Sequence, residues 1–552
     1  ILVLLTILYF SYRQTIAAYP GGGGSYTVAH ENIGEGAGLL AASALMIDYV
    51  LTAAVGISAG VGALVSAIPS LYPHTLGICL AILLIVTIVN LRGVREAGVA
   101  FMIPTYLFVG CLFLMIGIGV VKALAAGGHP APVEPIPHLP PATAMVSFWL
   151  LLKVFSSGCA AMTGVEAVSN GVKAFHEPTA PNAQKTLTVI ILILMVLLAG
   201  IAYLAFAYGI AATDPNKNYE SVLSMLLRAI TGRGVFYYVS IGAILLVLSL
   251  SANTAFADFP RLCRILAHDS YLPHSFGSTG RRLVYANGVY ILAILTASLL
   301  ILFRGVTDRL IPLYAVGAFM AFTLSQAGMV RHWKRVGGPW HNMAVNGIGA
   351  FATGVTTVVV LSAKFIEGAW VTVLLIPIML IVMTWVRRHY RQVVAELATE
   401  APADFKNLQG PIVVTPIANW SVVTQKALRF AYALSREVHV VHISASETED
   451  TFCKHWNRLA AAPARAAGLP PPELVVIESP YRYLLTPILN YILEVEKKNP
   501  TRQIAVLLPE MIERHWFHYV LHNQRAEILK TWLLLKGNQR IVLVNVPWYL
   551  KA

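Results

Sequence analysis

The stretch Lys153–Pro178, KVFSSGCAAMTGVEAVSNGVKAFHEP, begins like a membrane-spanning helix and then departs from that pattern. Small polar residues and glycines follow the apolar start, and Glu166 comes three residues after Thr163. Such residues at membrane depth need a structural reason, because unsatisfied backbone polar groups are costly in hydrocarbon. We predict a discontinuous helix that lines a binding site, with Glu166 facing the cavity rather than lipid. The alternative is a packing helix whose hydroxyls bond to its own preceding turn.

The composition is that of a membrane protein. Hydrophobic residues make up 57% of the chain and charged residues 12%, and the mean hydropathy is +0.67. The five cysteines are scattered without a C-x-x-C pair, which argues against a disulfide framework, an iron–sulfur cluster or a zinc site. The net charge of +13 comes largely from basic residues that flank apolar runs, so we expect no nucleic-acid partner. No catalytic motif such as G-x-S-x-G is present, and we expect neither an enzyme nor a cofactor.

Residues 1–395 are predicted to form a transmembrane domain with eleven visible spans. Each span is an apolar run long enough to approach the ~20 residues that cross a bilayer. Between the sixth and seventh spans, Ala212–Gly234 is predicted to be a polar connector. The eleven predicted spans are Ile1–Ala18, Leu39–Ile68, Leu76–Leu91, Phe101–Ala125, Lys153–Pro178, Thr186–Tyr208, Val235–Phe256, Val284–Phe303, Leu310–Val330, Ala344–Ser362 and Trp370–Val386.

The distribution of basic residues sets the expected orientation. Lysines and arginines are concentrated in one set of alternate loops, which includes Arg92, Arg95, Arg261 and Arg264. Such loops face the cytoplasm, so the region after Arg391 is predicted to be cytoplasmic. Eleven spans would then place the start of the chain outside, and one further span upstream would restore a cytoplasmic N-terminus.

Residues 401–552 are predicted to form a separate cytoplasmic α/β domain. Five short apolar runs alternate with helical patterns, which indicates a parallel, doubly wound sheet. The predicted strands are Pro411–Ile417, Glu437–Ser444, Glu473–Glu478, Gln503–Leu508 and Arg540–Val546. The predicted helices are Val422–Leu434, Thr451–Ala467, Leu484–Lys497 and Ile512–Leu534. No phosphate-binding glycine motif is present, which gives no support to an ATPase or a dinucleotide enzyme.

Polar residues inside the spans are the candidates for chemistry. Asp48 and Tyr49 lie in the first third of a span, and Thr52 follows one turn later on the same face. Asp48 could simply mark a helix end, and Thr52 could bond to its own backbone. Tyr314 could belong to an aromatic belt, although Pro312 and Gly317 around it suggest irregular backbone.

Glu166 admits two roles. An ionised carboxylate can neutralise a bound cation, and a carboxylate that alternates between its protonation states can couple transport to a proton gradient. The sequence alone does not separate these roles.

Several motifs resemble a known transporter family. The run YPGGGGSY (Tyr19–Tyr26), followed by a long span and by TGVEAVSN, resembles the amino acid–polyamine–cation permease superfamily. More closely, the chain is similar to the KimA-type potassium importers of the KUP family. The matching stretches are FSYRQ (Phe10–Gln14), IDYVLTAAVGISAG (Ile47–Gly60), LRG (Leu91–Gly93), FSSGCAAMTGVEAVSNGVKAF (Phe155–Phe175), LIPLYAVGAF (Leu310–Phe319) and HNQ (His522–Gln524).

The resemblance implies a mainly α-helical, five-plus-five inverted-repeat (LeuT-like) core with a cytoplasmic tail. It also implies proton-coupled K⁺ uptake across the bacterial inner membrane, with H⁺ as the coupling ion and membrane lipid as the surroundings. The implied potassium ligands are Tyr49, Thr52, Thr163, Glu166 and Tyr314, with Glu166 also the candidate for proton coupling. Two departures accompany this expectation: Gly56 stands where the family has a serine ligand, and the first family helix is expected to be missing.

Further expectations concern the alternative substrate and the tail. Amino acid transport remains open, because the superfamily shares one scaffold and a fold does not determine function. The resemblance implies homodimers that associate through the cytoplasmic domains. The tail resembles universal-stress-type α/β domains, so regulation by cyclic di-AMP is a further possibility, as is a purely dimerising role.

Overall fold

A computed structural model describes residues 1–22, 24–93, 97–137, 147–213, 220–278, 285–403, 408–444, 451–479, 484–512 and 525–549. The chain divides into two compact units, Ile1–Ala398 and Thr399–Ala552. The first unit is helical, and the second is an α/β unit. The HNQ motif lies outside the described residues.

The first unit contains fourteen α-helices within the described residues. In chain order they are α1 Leu2–Ala18, α2 Ser25–Asn32, α3 Glu35–Ala67, α4 Thr75–Arg92, α5 Ala97–Ala125, α6 Phe148–Gly158, α7 Ala167–Asn170, α8 Thr179–Ala207, α9 Val222–Thr231, α10 Val235–His268, α11 Ala286–Leu302, α12 Thr307–Val336, α13 Trp340–Lys364 and α14 Trp370–Leu397. Short 3₁₀ turns span Pro69–His74, Cys159–Met162, Val172–Ala174 and His274–Phe276, and a kink within Phe365–Ala369, where Gly368 has φ +137°, joins α13 to α14.

Each of the eleven predicted spans contains a helix. Eight helical segments of the described chain are long and apolar enough to cross a membrane, and one of them contains both α13 and α14, which a kink at Gly368 separates. Two predicted spans correspond to the shorter apolar helices Leu2–Ala18 and Ala286–Leu302. The first unit is therefore the membrane-spanning part of a multi-pass protein.

The prediction of a polar connector at Ala212–Gly234 was wrong over part of its length. Val222–Thr231 forms α9, which begins where the Ser221 hydroxyl accepts a hydrogen bond from the Ser224 N–H at 3.3 Å. The apolar side chains of α9 are buried, among them Met225, Leu226 and Ile230. This amphipathic helix is only ten residues long and has polar residues on both sides, so its pattern did not stand out in the sequence.

Helix α3 lies at the centre of the membrane unit and is buried along most of its length. It packs most closely against α10 and α12. Small residues make this approach possible, as is usual between helices in membranes. A Cβ atom added at Gly317 of α12 would lie 2.8 Å from the main-chain oxygen of Ala44 in α3. At this crossing the backbones of α3 and α12 are therefore in direct contact.

The second unit is a five-stranded parallel sheet in the order β3-β2-β1-β4-β5. The strands are β1 Ile412–Pro416, β2 Val438–Ser444, β3 Glu473–Glu478, β4 Ile504–Ile512 and β5 Ile541–Tyr549. The helices are α15 Val422–Leu434, α16 Thr451–Trp456, α17 Ala462–Ala466, α18 Leu485–Lys498 and α19 Arg525–Lys536, and a π-helical turn at Asn457–Ala461 joins α16 to α17.

The sheet is covered on both faces, which confirms the doubly wound prediction. Helices α15 and α16 pack on the face that carries Val413 and Val440, and α18 and α19 pack on the face that carries Ile412 and Val441. The predicted helix Ile512–Leu534 was wrong at its start, because β4 continues to Ile512. The described part of that helix is α19.

We expect Gly317→Ala to lower the thermal stability of the protein. Alanine favours a helix over glycine by about 1 kcal/mol, but overpacking costs about 1–3 kcal/mol. The new methyl group would press against the Ala44 main-chain oxygen, which cannot rotate away. Thermal unfolding in detergent measures the effect. Gly117→Ala in α5 is the control, since its Cβ would have open space, and its melting temperature should stay the same or rise. Equal behaviour of the two variants would contradict the packing argument.

Candidate functional site

The predicted break in the fifth span is present. Helix α6 ends at Gly158, a 3₁₀ turn follows, and residues 163–166 are irregular before α7 begins at Ala167. Thr163 has extended backbone angles, and Gly164 has φ +91°. An L-residue rarely adopts that φ, so glycine is what permits the break. The prediction of a discontinuous helix is confirmed.

Tyr314 connects three separate elements at this break. Its hydroxyl accepts a hydrogen bond from Thr52 of α3 at 3.1 Å, and it is also hydrogen-bonded to the Thr163 hydroxyl. Tyr314 is only 7% exposed. Thr52 therefore does not use its hydroxyl on its own helix, as the alternative interpretation required. Three of the five predicted ligands thus form one oxygen cluster, which we call the Tyr314 cluster: Thr52, Thr163 and Tyr314.

The backbone around Tyr314 differs from the expectation. The sequence suggested irregular backbone between Pro312 and Gly317, but α12 is a continuous helix from Thr307 to Val336. Proline removes one helical hydrogen bond without ending this helix. Ser156 bonds as expected for a packing helix whose hydroxyls bond to the preceding turn. Its hydroxyl donates to the Lys153 main-chain oxygen at 2.9 Å.

Two buried carboxylates accompany the Tyr314 cluster. Glu166 is 2% exposed, and one of its oxygens accepts the Gly164 N–H at 3.1 Å. Asp48 is 1% exposed, and its Oδ1 has no hydrogen-bond partner among the described residues. The two acids and the Tyr314 hydroxyl interact electrostatically. Neither acid forms an ion pair with a lysine or an arginine in the described part of the chain.

Asp48 was a candidate for chemistry but was not among the implied ligands. The alternative that it marks a helix end was wrong, because α3 extends thirteen residues before it, from Glu35. The usable signal was a carboxylate inside an apolar span, which is costly and therefore usually functional.

Tyr49, the remaining predicted ligand, has a different partner. Its hydroxyl accepts a hydrogen bond from the Asn170 side chain of α7 at 2.9 Å. Both residues line a cavity of about 480 Å³ whose wall also contains Asp258 and Arg261 of α10, which form an ion pair at 3.4 Å. The Tyr314 cluster does not line this cavity. Tyr49 thus lies between the cavity and Thr52, which is one turn farther along α3.

Helix α2 contributes a neutral donor to the same cavity wall. The Tyr26 hydroxyl donates to Asp269 Oδ2 at 2.6 Å. Burial, and then the hydrogen bond to Asp269 and the negative charge of that residue, raises the pKa of Tyr26 well above its usual value. Tyr26 therefore stays protonated and keeps donating over the physiological pH range.

Gly56 faces α10 rather than an open site. A Cβ atom at position 56 would lie 2.4 Å from Ser251 Oγ and 2.9 Å from the Leu248 main-chain oxygen. The hydroxyl of Ser251 fills the space that a side chain at position 56 would need. Ser58, two residues farther along α3, accepts a hydrogen bond from Thr307 at 3.1 Å.

The discontinuous helix and the buried polar cluster define a class of protein, the multi-pass membrane transporters built like amino acid permeases. The model of the amino acid permease family matches residues 1–387. That family supplies the assignment of the membrane unit to the five-plus-five inverted-repeat, LeuT-like fold. The branched-chain amino acid permease BcaP of Lactococcus lactis subsp. cremoris is 27% identical over 358 residues, which cover 59% of this chain and 71% of BcaP.

A second comparison covers both units. The model of the KimA potassium transporter C-terminal domain matches residues 409–548. The potassium transporter KimA of Bacillus subtilis is 39% identical over 558 residues, which cover 100% of this chain and 88% of KimA. The chain belongs to the family of the KimA potassium transporter, a family of transporters and not of enzymes.

We expect Gly164→Ala to destabilise the break and to displace Thr163 and Glu166. Alanine at φ +91° would cost about 1–2 kcal/mol, although nothing lies within 4 Å of its Cβ. Thermal unfolding should show a lower melting temperature. Gly36→Ala in α3 is the control, because its φ is ordinary and its Cβ also has open space. An unchanged melting temperature for Gly164→Ala would show that the break does not depend on glycine.

Proposed function

We propose that the protein imports K⁺ as a secondary active transporter and that the ion binds at the Tyr314 cluster. The observation that carries the proposal is the convergence of three hydroxyl oxygens from α3, α12 and the break before α7. Hydroxyl and phenol oxygens can replace the hydration shell of a hard monovalent cation. The potassium transporter KimA of Bacillus subtilis, to which the chain is 39% identical, supports this assignment.

The charge balance of the site also fits a cation. Asp48 and Glu166 are buried without a basic partner among the described residues, so a cation nearby would compensate them.

We extend the proposal to proton coupling at Glu166. A carboxylate at this depth is either protonated and neutral or ionised and able to compensate a bound K⁺. Binding of the proton and binding of K⁺ are therefore linked. Tyr49 belongs to the proposed site as the ligand nearest the cavity.

An amino acid substrate fits this geometry less well. Its carboxylate would need free N–H donors at the broken helix, as in other inverted-repeat transporters. Here the Gly164 N–H already donates to Glu166, and the Ala167 N–H donates to the Gly164 main-chain oxygen at 3.1 Å. The Glu166 carboxylate would also repel that of the substrate. Similarity to BcaP keeps amino acid transport as the alternative that the uptake experiment decides.

We expect potassium-starved cells that express the protein to take up rubidium, and uptake to depend on an inward proton gradient. Glu166→Gln should abolish that dependence and lower the rate by about tenfold or more, because the amide cannot exchange a proton at physiological pH. Rubidium uptake at several external pH values is the measurement. Potassium, and no amino acid, should compete.

The matched control is Glu31→Gln, which removes a carboxylate from the exposed surface of α2 and should leave uptake unchanged. Tyr314→Phe should weaken the apparent affinity for rubidium without removing proton dependence. Full, proton-dependent uptake by Glu166→Gln would refute the role of Glu166. Competition by amino acids with no effect of potassium would refute the potassium proposal itself.

We further propose that the second unit forms homodimers and binds cyclic di-AMP. Leu534 and Leu535 of α19 are 70% and 78% exposed, an apolar pair that association would bury. In the sheet, β1 lies between β2 and β4, so the strand order reverses there. Ligands of doubly wound sheets bind outside the carboxyl ends of the strands at such a point. The match to the KimA C-terminal domain supports a shared role for this unit.

Leu534→Glu with Leu535→Glu is expected to convert the purified dimer into monomers, because like charges would face each other across the interface. Light scattering coupled to size-exclusion chromatography measures the mass. Leu408→Glu is the control, since Leu408 is equally exposed at 76% but lies outside the helix. A dimer that survives the double change, or calorimetry with cyclic di-AMP that gives no heat, would contradict the corresponding part of the proposal.

A further inference from the structure

A basic cavity lies at the arginine-bearing end of α14. Its volume is about 440 Å³, and Arg387, Arg388 and Arg391 line it together with Gln392. Glu35 of α3 is its acidic residue. Three guanidinium groups and one carboxylate give the lining a net charge of +2.

Two of the three arginines are partly compensated. Arg387 forms an ion pair with Glu35 and lies over the Tyr271 ring, with 4.4 Å between its guanidinium carbon and the ring centroid. Arg391 is 3.6 Å from the same Glu35 oxygen. Arg388 forms no ion pair within the described part of the chain. One carboxylate thus serves two arginines and leaves two positive charges that an anion would compensate.

The neighbouring surface of α14 is apolar and exposed. Ile381 is 66% exposed and Trp385 is 70% exposed. Ile381, Trp385 and Arg388 follow one another at four- and three-residue spacing, so they lie on one face of the helix. Exposed tryptophan next to arginine at the end of an apolar span is typical of the membrane interface. A molecule in the cavity is therefore next to a surface suited to acyl chains.

We propose that this cavity binds the phosphate of an anionic phospholipid headgroup. Arg388 and Arg391 supply charged N–H donors to the phosphate oxygens, and Arg387 is held in place by Glu35 and Tyr271. Basic pockets of this kind between membrane helices bind anionic headgroups. The apolar face that ends at Arg388 favours a lipid over a free phosphate compound, although the phosphate chemistry is shared. The proposal is independent of the transported ion.

The test uses the purified full chain in detergent, titrated with dioctanoyl phosphatidylglycerol, dioctanoyl phosphatidylcholine or inorganic phosphate. Thermal unfolding reports binding. We expect a rise in melting temperature with phosphatidylglycerol that exceeds the rise with phosphatidylcholine. Arg388→Gln with Arg391→Gln should weaken the apparent affinity for phosphatidylglycerol roughly 25-fold, about 5-fold for each arginine.

The charge-matched control is Lys185→Gln with Lys334→Gln. Neither lysine lines the cavity, and both are exposed, so this variant should bind like the unchanged protein. The arginine variant keeps the Arg387–Glu35 ion pair, and an unchanged melting temperature without lipid would show that it folds. Equal phosphatidylglycerol binding by both variants would overturn the site. Stabilisation by inorganic phosphate with no preference between the two lipids would overturn the lipid assignment.

Discussion

The Tyr314 hydroxyl holds the centre of the membrane unit together. It bonds to Thr52 on the buried helix α3 and to Thr163 in the break before α7. A phenol has one proton to donate and can accept hydrogen bonds from two directions, so it can join two hydroxyls that lie on different elements. An unsatisfied polar group would be costly at this depth; the three oxygens bond to one another, and the Thr163 hydroxyl also donates to the Ala160 main-chain oxygen at 3.1 Å. The same oxygens are available to an ion that enters and takes the place of those hydrogen bonds.

The surroundings of this cluster are built from main-chain contacts. Gly317 lies three residues after Tyr314 and brings α12 against the Ala44 carbonyl of α3. Gly56 lies four residues after Thr52 and brings α3 against α10. Both close approaches are thus within about one helical turn of the cluster residues. The positions of Thr52 and Tyr314 are therefore set by close backbone packing. A main-chain atom cannot move out of such a contact by a change of rotamer.

The sequence predicted the architecture better than the details of the site. Apolar length gave a helix in each of the eleven spans, and alternation of strands and helices gave the doubly wound sheet, because both signals are strong periodic patterns. The amphipathic helix α9 was missed, since only ten residues carry its pattern. The continuity of α12 through Pro312 was also not predicted. A proline within a helix removes one hydrogen bond and so suggests a break, but α12 continues through this one.

Residue type predicted which side chains lie in the candidate site, but not the hydrogen-bond partner of each. Thr52, Thr163 and Tyr314 come from sequence positions more than a hundred residues apart, and only the fold shows that their hydroxyls meet. Tyr49 was grouped with them, yet it bonds to Asn170 at the edge of the cavity. Asp48 was a candidate but not an implied ligand, and its burial follows from the extension of α3 well before it, which the local pattern does not show. Long-range geometry of this kind is absent from local patterns.

A single hydrogen bond joins Asn170 to Tyr49 in the wall of the cavity. One net hydrogen bond of this type contributes about 0.5–1.5 kcal/mol to a folded state. By itself it favours the bonded arrangement over the separated one by a population ratio of roughly two to thirteen. Separation of these two side chains is thus within reach of ordinary thermal fluctuation. The Tyr49 hydroxyl can therefore exchange Asn170 for another partner at a cost of about one hydrogen bond.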